Sequence, residues 1–215
     1  MRVLVATDKF KGTLSASAAA AAIGEVLGES HDIRLMPVAD GGEGTAEVLA
    51  EALGGRRVSC GVQNPLGDPL EATFWLVHRD DGAGLAVMEM SSASGLVLIA
   101  EEDRDPWRAS TCGTGQMLLA ARGFGVDEVL LGIGGSATND GGAGMAAAIG
   151  YRFIDAQGDE IDKIPEQLDK VDALFPDLAV DLPRVTVACD VRNPLLGANG
   201  ATRVFGKQKG IGDED

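Results

Sequence analysis

Glycines gathered into loops, together with acids and lysines set just after apolar runs, are the residues of this sequence best placed to do chemistry. Three glycine-rich stretches stand out: Asp40-Gly41-Gly42-Glu43-Gly44-Thr45, Thr111-Cys112-Gly113-Thr114-Gly115, and the long run from Gly132 through Gly134, Gly135, Ser136, Asn139 and Asp140 to Gly142. Each is expected to open a helix. Such a junction offers free backbone N–H groups and the positive end of a helix dipole, which suits phosphate or carboxylate. A tight turn explains any one of them; three in an acidic chain favour anion binding.

Acids and lysines add to this. Asp8, Asp40 and Asp190 each follow a strand-like apolar run, VLVA, PVA and VTVA. At the carboxyl ends of parallel strands an acid is placed to hold magnesium or to act as a general base. Its competing use is to cap a turn. Lys9 and Lys11 lie beside Asp8, and Lys207 and Lys209 form a second pair. Compact positive charge at a crevice is what a migrating phosphoryl group requires. The third glycine loop also fits G-x-G-x-x-[GA], with Asp155 further on, the pattern of a dinucleotide site. Its polar continuation, Thr138 to Gly142, disfavours the helix that should begin inside that pattern. No G-x-x-x-x-G-K-[ST] motif occurs.

The elements that must position these loops follow from pattern and punctuation. Strands are expected over 3–6, 33–38 and 56–62, with helices over 16–27 and 45–53 between them. This alternation predicts three parallel strands. Asn64 to Pro69 breaks the pattern and is the expected boundary between units. A hairpin over 72–77 and 85–90 should follow, then helices over 115–122 and 142–149 and strands over 128–131, 151–154 and 184–188. The charged stretch 159–183 is expected to form a helix and surface loops.

Composition narrows the classes. The 215 residues carry 18 Lys+Arg against 33 Asp+Glu, a net charge of −15, which argues against nucleic acid or an anionic membrane surface as partner. No apolar run approaches the ~18 residues of a membrane span, and the N-terminal run is too short for a signal peptide. Cys60, Cys112 and Cys189 lack the spacing of a disulfide framework or zinc site, and His31 and His78 lie outside any motif. A cytoplasmic α/β protein is expected.

Read together, DKFKGTLSA, ADGGEGT, TCGTG, GIGGSATNDGGAGM, ACDVRNPLLGANGA and VFGKQKG resemble the glycerate kinase type I family, from the first strand to the last dozen residues. The resemblance implies ATP- and Mg2+-dependent phosphorylation of D-glycerate in a two-domain α/β protein. Its implied layout is a Rossmann/flavodoxin-like parallel-sheet unit over residues 1–65, incomplete here, and an inserted mixed α/β domain over 66–215. Family chains are longer, so this chain is expected to match their N-terminal portion and to leave a sheet open to self-association. On this resemblance Asp190 is the expected base, with Lys9 and Lys11 on phosphate or substrate carboxylate and Asp40 or Asp140 on magnesium. Asp8, Gly41, Gly42, Glu43, Gly44, Thr45, Gly113, Thr114, Gly115, Gly134, Gly135, Ser136, Asn139 and Asn193 complete the expected binding set. Lys207 and Ile211 stand where the family usually has Pro and Ala. A non-catalytic binding module is the alternative, and an NAD(P)-dependent oxidoreductase a further one.

Overall fold

The computed structural model describes residues 1–10 and 13–212. The chain begins with β1 (Arg2–Val5), α1 (Ala16–Gly28) and β2 (Asp32–Leu35), and β1 and β2 pair in parallel as a two-stranded sheet. Ser15 starts α1 by accepting the Ala18 N–H at 3.2 Å. Ala16, Ala19 and Ala20, at i, i+3 and i+4, form its buried stripe. Leu4, Leu35 and Met36 remain exposed on this small unit.

Then come α2 (Thr45–Leu53), β3 (Arg56–Gln63), β4 (Pro69–His78), β5 (Gly84–Glu89), the single turn α3 (Ser91–Ser94), α4 (Cys112–Gly123) and β6 (Glu128–Gly132). The chain continues with α5 (Ala143–Ala148), β7 (Arg152–Asp155), β8 (Val171–Phe175), β9 (Arg184–Ala188) and α6 (Ala201–Phe205). A five-stranded mixed sheet has the order β3-β4-β5-β6-β9, antiparallel through the first three strands and parallel from β5 to β9. Its larger core joins Phe74, Met88, Val129 and Leu131 of the sheet to Met117, Leu118 and Ala121 of α4. A second cluster joins Ala46 and Leu49 of α2 to Val77, Leu85 and Val87. β7 and β8 form an antiparallel ribbon beside α5, with Phe153 and Ala143 in one apolar cluster.

Three expectations change. β3 is not a third parallel strand: it forms a hairpin with β4. Asn64 closes that turn, its Oδ1 accepting the Leu66 and Asp68 N–H groups at 2.9 Å each. Asn64–Pro69 is therefore a turn within one sheet and not a seam between units. Because α2 already packs on β4 and β5, the change of sheet falls after β2, well before residue 65. The stretch 159–183, expected to hold a helix, contributes only a 3-10 turn (Leu168–Lys170) and strand β8. No helix among the described residues is long and apolar enough to cross a membrane.

Candidate active site

The carboxyl ends of β1, β2, β5, β6 and β9 open onto one cleft of about 1110 Å³, lined among others by Asp8, Lys9, Asp40, Glu89, Asp190 and Lys209. Ligands of open α/β sheets bind in crevices of this kind. Two glycine loops meet beneath it. Gly134 donates its N–H to the Gly41 carbonyl at 3.4 Å. A Cβ on Gly134 would fall 2.7 Å from the Gly42 Cα, and one on Gly132 2.8 Å from the Gly41 oxygen. Only residues without a side chain permit this approach. Thr45 closes the first loop on itself, accepting from the Gly41 N–H at 3.1 Å and donating to the Gly42 carbonyl at 2.6 Å.

Lys9 bridges the two acids of the small unit. Its Nζ lies 2.8 Å from Asp40 Oδ1 and 4.0 Å from Asp8 Oδ1. Burial alone would lower the Lys9 ammonium, but the Asp40 hydrogen bond and the charges of Asp40, Asp8 and Glu89 leave it above its ordinary value. The Lys9 hydrogen bond, followed by the Gly42 N–H at 2.9 Å, holds Asp40 below the usual carboxylate range. Asp8 Oδ1 accepts the Lys9 N–H at 2.7 Å. The Oδ2 atoms of Asp8 and Asp40 have no hydrogen-bond partner among the described residues.

The other expected residues divide. Gly42, Glu43, Gly44, Gly134, Gly135, Ser136 and Asn193 line the cleft, as does Asp190, whose side chain follows β9. Asn193 Nδ2 donates to the Asn199 carbonyl at 3.0 Å, which ties down the loop after Asp190. Gly41 and Thr45 shape the loop from behind. Lys11 lies outside the described residues. Among the described residues, no three His, Cys, Asp or Glu side chains gather as a preformed metal cage.

Asp140 departs from expectation as a metal ligand. It is only 3% exposed, and its Oδ2 accepts from the Thr111 N–H at 2.8 Å, the Thr111 hydroxyl at 2.6 Å and the Gly144 N–H at 3.0 Å. Its Oδ1 takes the Gly142 N–H at 3.1 Å, so the carboxylate is committed to tying the start of α5 to the start of α4. Gly113, Thr114 and Gly115 also leave the binding set, because they lie buried within α4. A Cβ on Gly113 would meet the Gln63 oxygen at 2.0 Å and one on Gly115 the Met145 oxygen at 2.6 Å, so these glycines serve packing. Thr114 shares a 2.8 Å hydrogen bond with Ser94. Asn139 accepts from the Thr202 hydroxyl at 3.1 Å and holds α6 in place without lining the cleft. Asp155, the acid of the dinucleotide pattern, accepts the Gln157 and Asp159 N–H groups at 2.9 Å each within its own turn.

Glu89 and Lys209 line the cleft as well, although neither is in the expected set. Glu89 ends β5, with Oε1 accepting the Ala46 N–H of α2 at 2.7 Å and Oε2 the Ser91 hydroxyl at 3.4 Å. Burial pushes its carboxyl up, against the Ala46 and Gly44 N–H groups and Ser91. The strand-end rule that marks Asp8 and Asp190 applies equally to Leu85-Ala86-Val87-Met88-Glu89. Lys209, noted only as one of a cation pair, reaches the cleft from the turn after α6.

A family model described as the glycerate kinase family matches residues 3–215. The chain belongs to the glycerate kinase family. It is 44% identical over 214 residues to the glycerate kinase of Halalkalibacterium halodurans, covering 97% of this chain and 56% of that relative. It is 45% identical over 216 residues to the glycerate kinase of Bacillus subtilis (98% and 56%) and 41% identical over 222 residues to the glycerate 2-kinase of Escherichia coli (99% and 57%). The crystal structure described as glycerate kinase 2 of Salmonella typhimurium LT2 superposes with a TM-score of 0.83 at 40% identity, covering all of this chain and 58% of that one. This chain thus spans a little over half the length of the relatives it matches.

Proposed function

We propose that the cleft binds ATP and D-glycerate and transfers the γ-phosphoryl group to a glycerate hydroxyl. The observation that carries this reading is the convergence of Lys9, Asp40, Asp190 and two glycine loops on one cleft, in a chain of the glycerate kinase family. In the transfer the hydroxyl oxygen forms its bond to the γ-phosphorus as the bond to the β,γ-bridging oxygen breaks. Asp190 takes the hydroxyl proton. Lys9 receives a phosphate or carboxylate oxygen, and the loop N–H groups of Gly42 to Gly44 and Gly134 to Ser136 supply further donors. The acceptor is the 2-hydroxyl, on the strength of the E. coli relative's name.

Magnesium fits this donor set. It is held with nucleotides by one or two carboxylates, the phosphates and water, so the Oδ2 atoms of Asp8 and Asp40, without a hydrogen-bond partner among the described residues, would suffice. When bound, it neutralises charge developing on the phosphate oxygens. The same reading places the protein in the cytoplasm, where ATP is made available. The test is ADP release with D-glycerate, ATP and Mg2+; absence of release under ligand saturation overturns it. Calorimetric binding of D-glycerate or ATP with no ADP release would leave the cleft as a binding site without turnover.

A further inference from the structure

Lys209 differs from Lys9 in what surrounds its charge. Lys9 is neutralised by Asp40 at 2.8 Å, with Asp8 at 4.0 Å. Lys209 is more deeply set, yet no carboxylate comes within 4.0 Å of it among the described residues. Its Nζ donates instead to two neutral acceptors of the loop after β6, the Ser136 hydroxyl at 2.8 Å and the Thr138 carbonyl at 2.5 Å. An ammonium has three N–H donors, so one has no partner among the described residues, and the residue borders the cleft. A half-buried cation whose hydrogen-bond partners among the described residues are all neutral has no counter-charge in contact with it there.

The lysine is held there by design of the surrounding backbone. Gly210, at φ +95°, ends its turn and sits so close to Arg104 that a Cβ would fall 2.7 Å from the Arg104 carbonyl oxygen. Arg104 Nη1 donates to the Gln208 carbonyl at 3.1 Å. The Lys207–Lys209 turn is thereby anchored to a different part of the chain from the one its ammonium bonds. Desolvation pushes the ammonium below its ordinary value, with only the charge of Asp140 opposing. An incoming anion would reverse that cost.

We propose that Lys209 is a second cation of this cleft that, beside Lys9, receives an oxyanion of the ligand, a polyphosphate oxygen or the glycerate carboxylate, with Ser136 and Thr138 orienting its ammonium. This rests on the reading of the cleft as a phosphoryl-transfer site and adds a binding residue to it. Amine acetylation of the full chain, quantified residue by residue by mass spectrometry, tests it with sodium tripolyphosphate in one arm and D-glycerate in the other. Labelling of Lys209 should slow about fivefold or more in at least one arm, which also names the oxyanion, while exposed Lys163 and Lys170 are unaffected. In parallel, Lys209→Met should weaken calorimetric binding of the same anion about tenfold or more, and Lys209→Arg should restore part of it. Unchanged labelling in both arms, or unchanged affinity in a folded Lys209→Met, overturns the proposal. If acetylation of Lys209 is too slow to compare, the calorimetric comparison decides. Should the Met variant fail to fold, the footprint on the unsubstituted chain decides. ADP release with Lys209 unprotected sinks only this assignment, whereas Lys209 protection without ADP release sinks only the turnover reading.

Discussion

Gly134 lies against Gly42 at a separation no other residue allows: a Cβ on Gly134 would sit 2.7 Å from the Gly42 Cα. The loop after β6 and the loop before α2 therefore form one floor, and the small β1–α1–β2 unit meets the five-stranded sheet there. Gly134→Ala must push backbone from backbone, with no flexible side chain to yield. The expected cost is about 1–3 kcal/mol in urea unfolding, together with about tenfold weaker D-glycerate or ATP binding as the floor opens. Gly28→Ala is the control, since nothing lies within 4 Å of its added Cβ; it should be neutral or stabilising by about 0.5 kcal/mol. Equal stability of Gly134→Ala and the parent chain would show that the loops are not locked together.

Asp140 and Asp190 are both carboxylates in loops after strands, yet their substitutions should have opposite signatures. Asp140→Ala leaves the buried Thr111 and Gly144 N–H groups without their acceptor and should cost about 3 kcal/mol or more. Asp190→Asn, at an exposed cleft position, should leave unfolding within about 0.5 kcal/mol while lowering turnover about a hundredfold or more. Turnover within tenfold of the parent chain would remove Asp190 as the base.

Legibility of the chain tracks how local each determinant is. The bounds of α2 and β9 are readable as Thr45–Leu53 and Arg184–Ala188 because Gly54-Gly55 and Pro183 punctuate them. The direction of β3 is not, since alternation of Val58, Cys60 and Val62 shows which face is buried but not which neighbour pairs. That choice lies in how the Asn64 side chain folds the turn. β8 is hidden because Val-Asp-Ala-Leu-Phe is mostly exposed and its charged surroundings mask the period. In the site, Asp8, Asp40 and Asp190 are marked by strand ends. Asp140 reads the same whether its oxygens meet N–H groups or ligand, and only the fold, bringing Thr111 to it across 29 positions, decides.

The Lys9–Asp40 pair should make a small, pH-dependent contribution. Asp40 is 45% exposed, so screening limits the pair to about 1 kcal/mol or less. The Asp40 value is lowered on folding, so its contribution is present above the unfolded carboxylate value of about 3.9 and is lost as pH falls through the folded value. The Lys9 value is raised, so its share is complete below about 10.4 and is lost as pH rises through the folded value. Urea unfolding of Asp40→Asn against the parent chain should differ by at most about 1 kcal/mol at pH 7 and converge near pH 2. A gap that stays constant across that range would show that the effect does not come from the carboxylate's charge.

Glu89 should behave in the opposite sense. Its carboxyl is raised by burial, so the folded chain holds the proton to higher pH than the unfolded chain does. Stability therefore falls as pH rises from the unfolded glutamate value, about 4.3, through the folded value. Glu89→Gln removes the charge but keeps a carbonyl oxygen for the Ala46 N–H, so at pH 7 it should be neutral or stabilising and should flatten that slope. Glu89→Ala strips the acceptor from the first turn of α2 and should cost about 1–3 kcal/mol at every pH. If Glu89→Gln instead destabilises as much as Glu89→Ala, the ionised carboxylate is required at the floor of the cleft. That charge already acts on Lys9 together with those of Asp40 and Asp8.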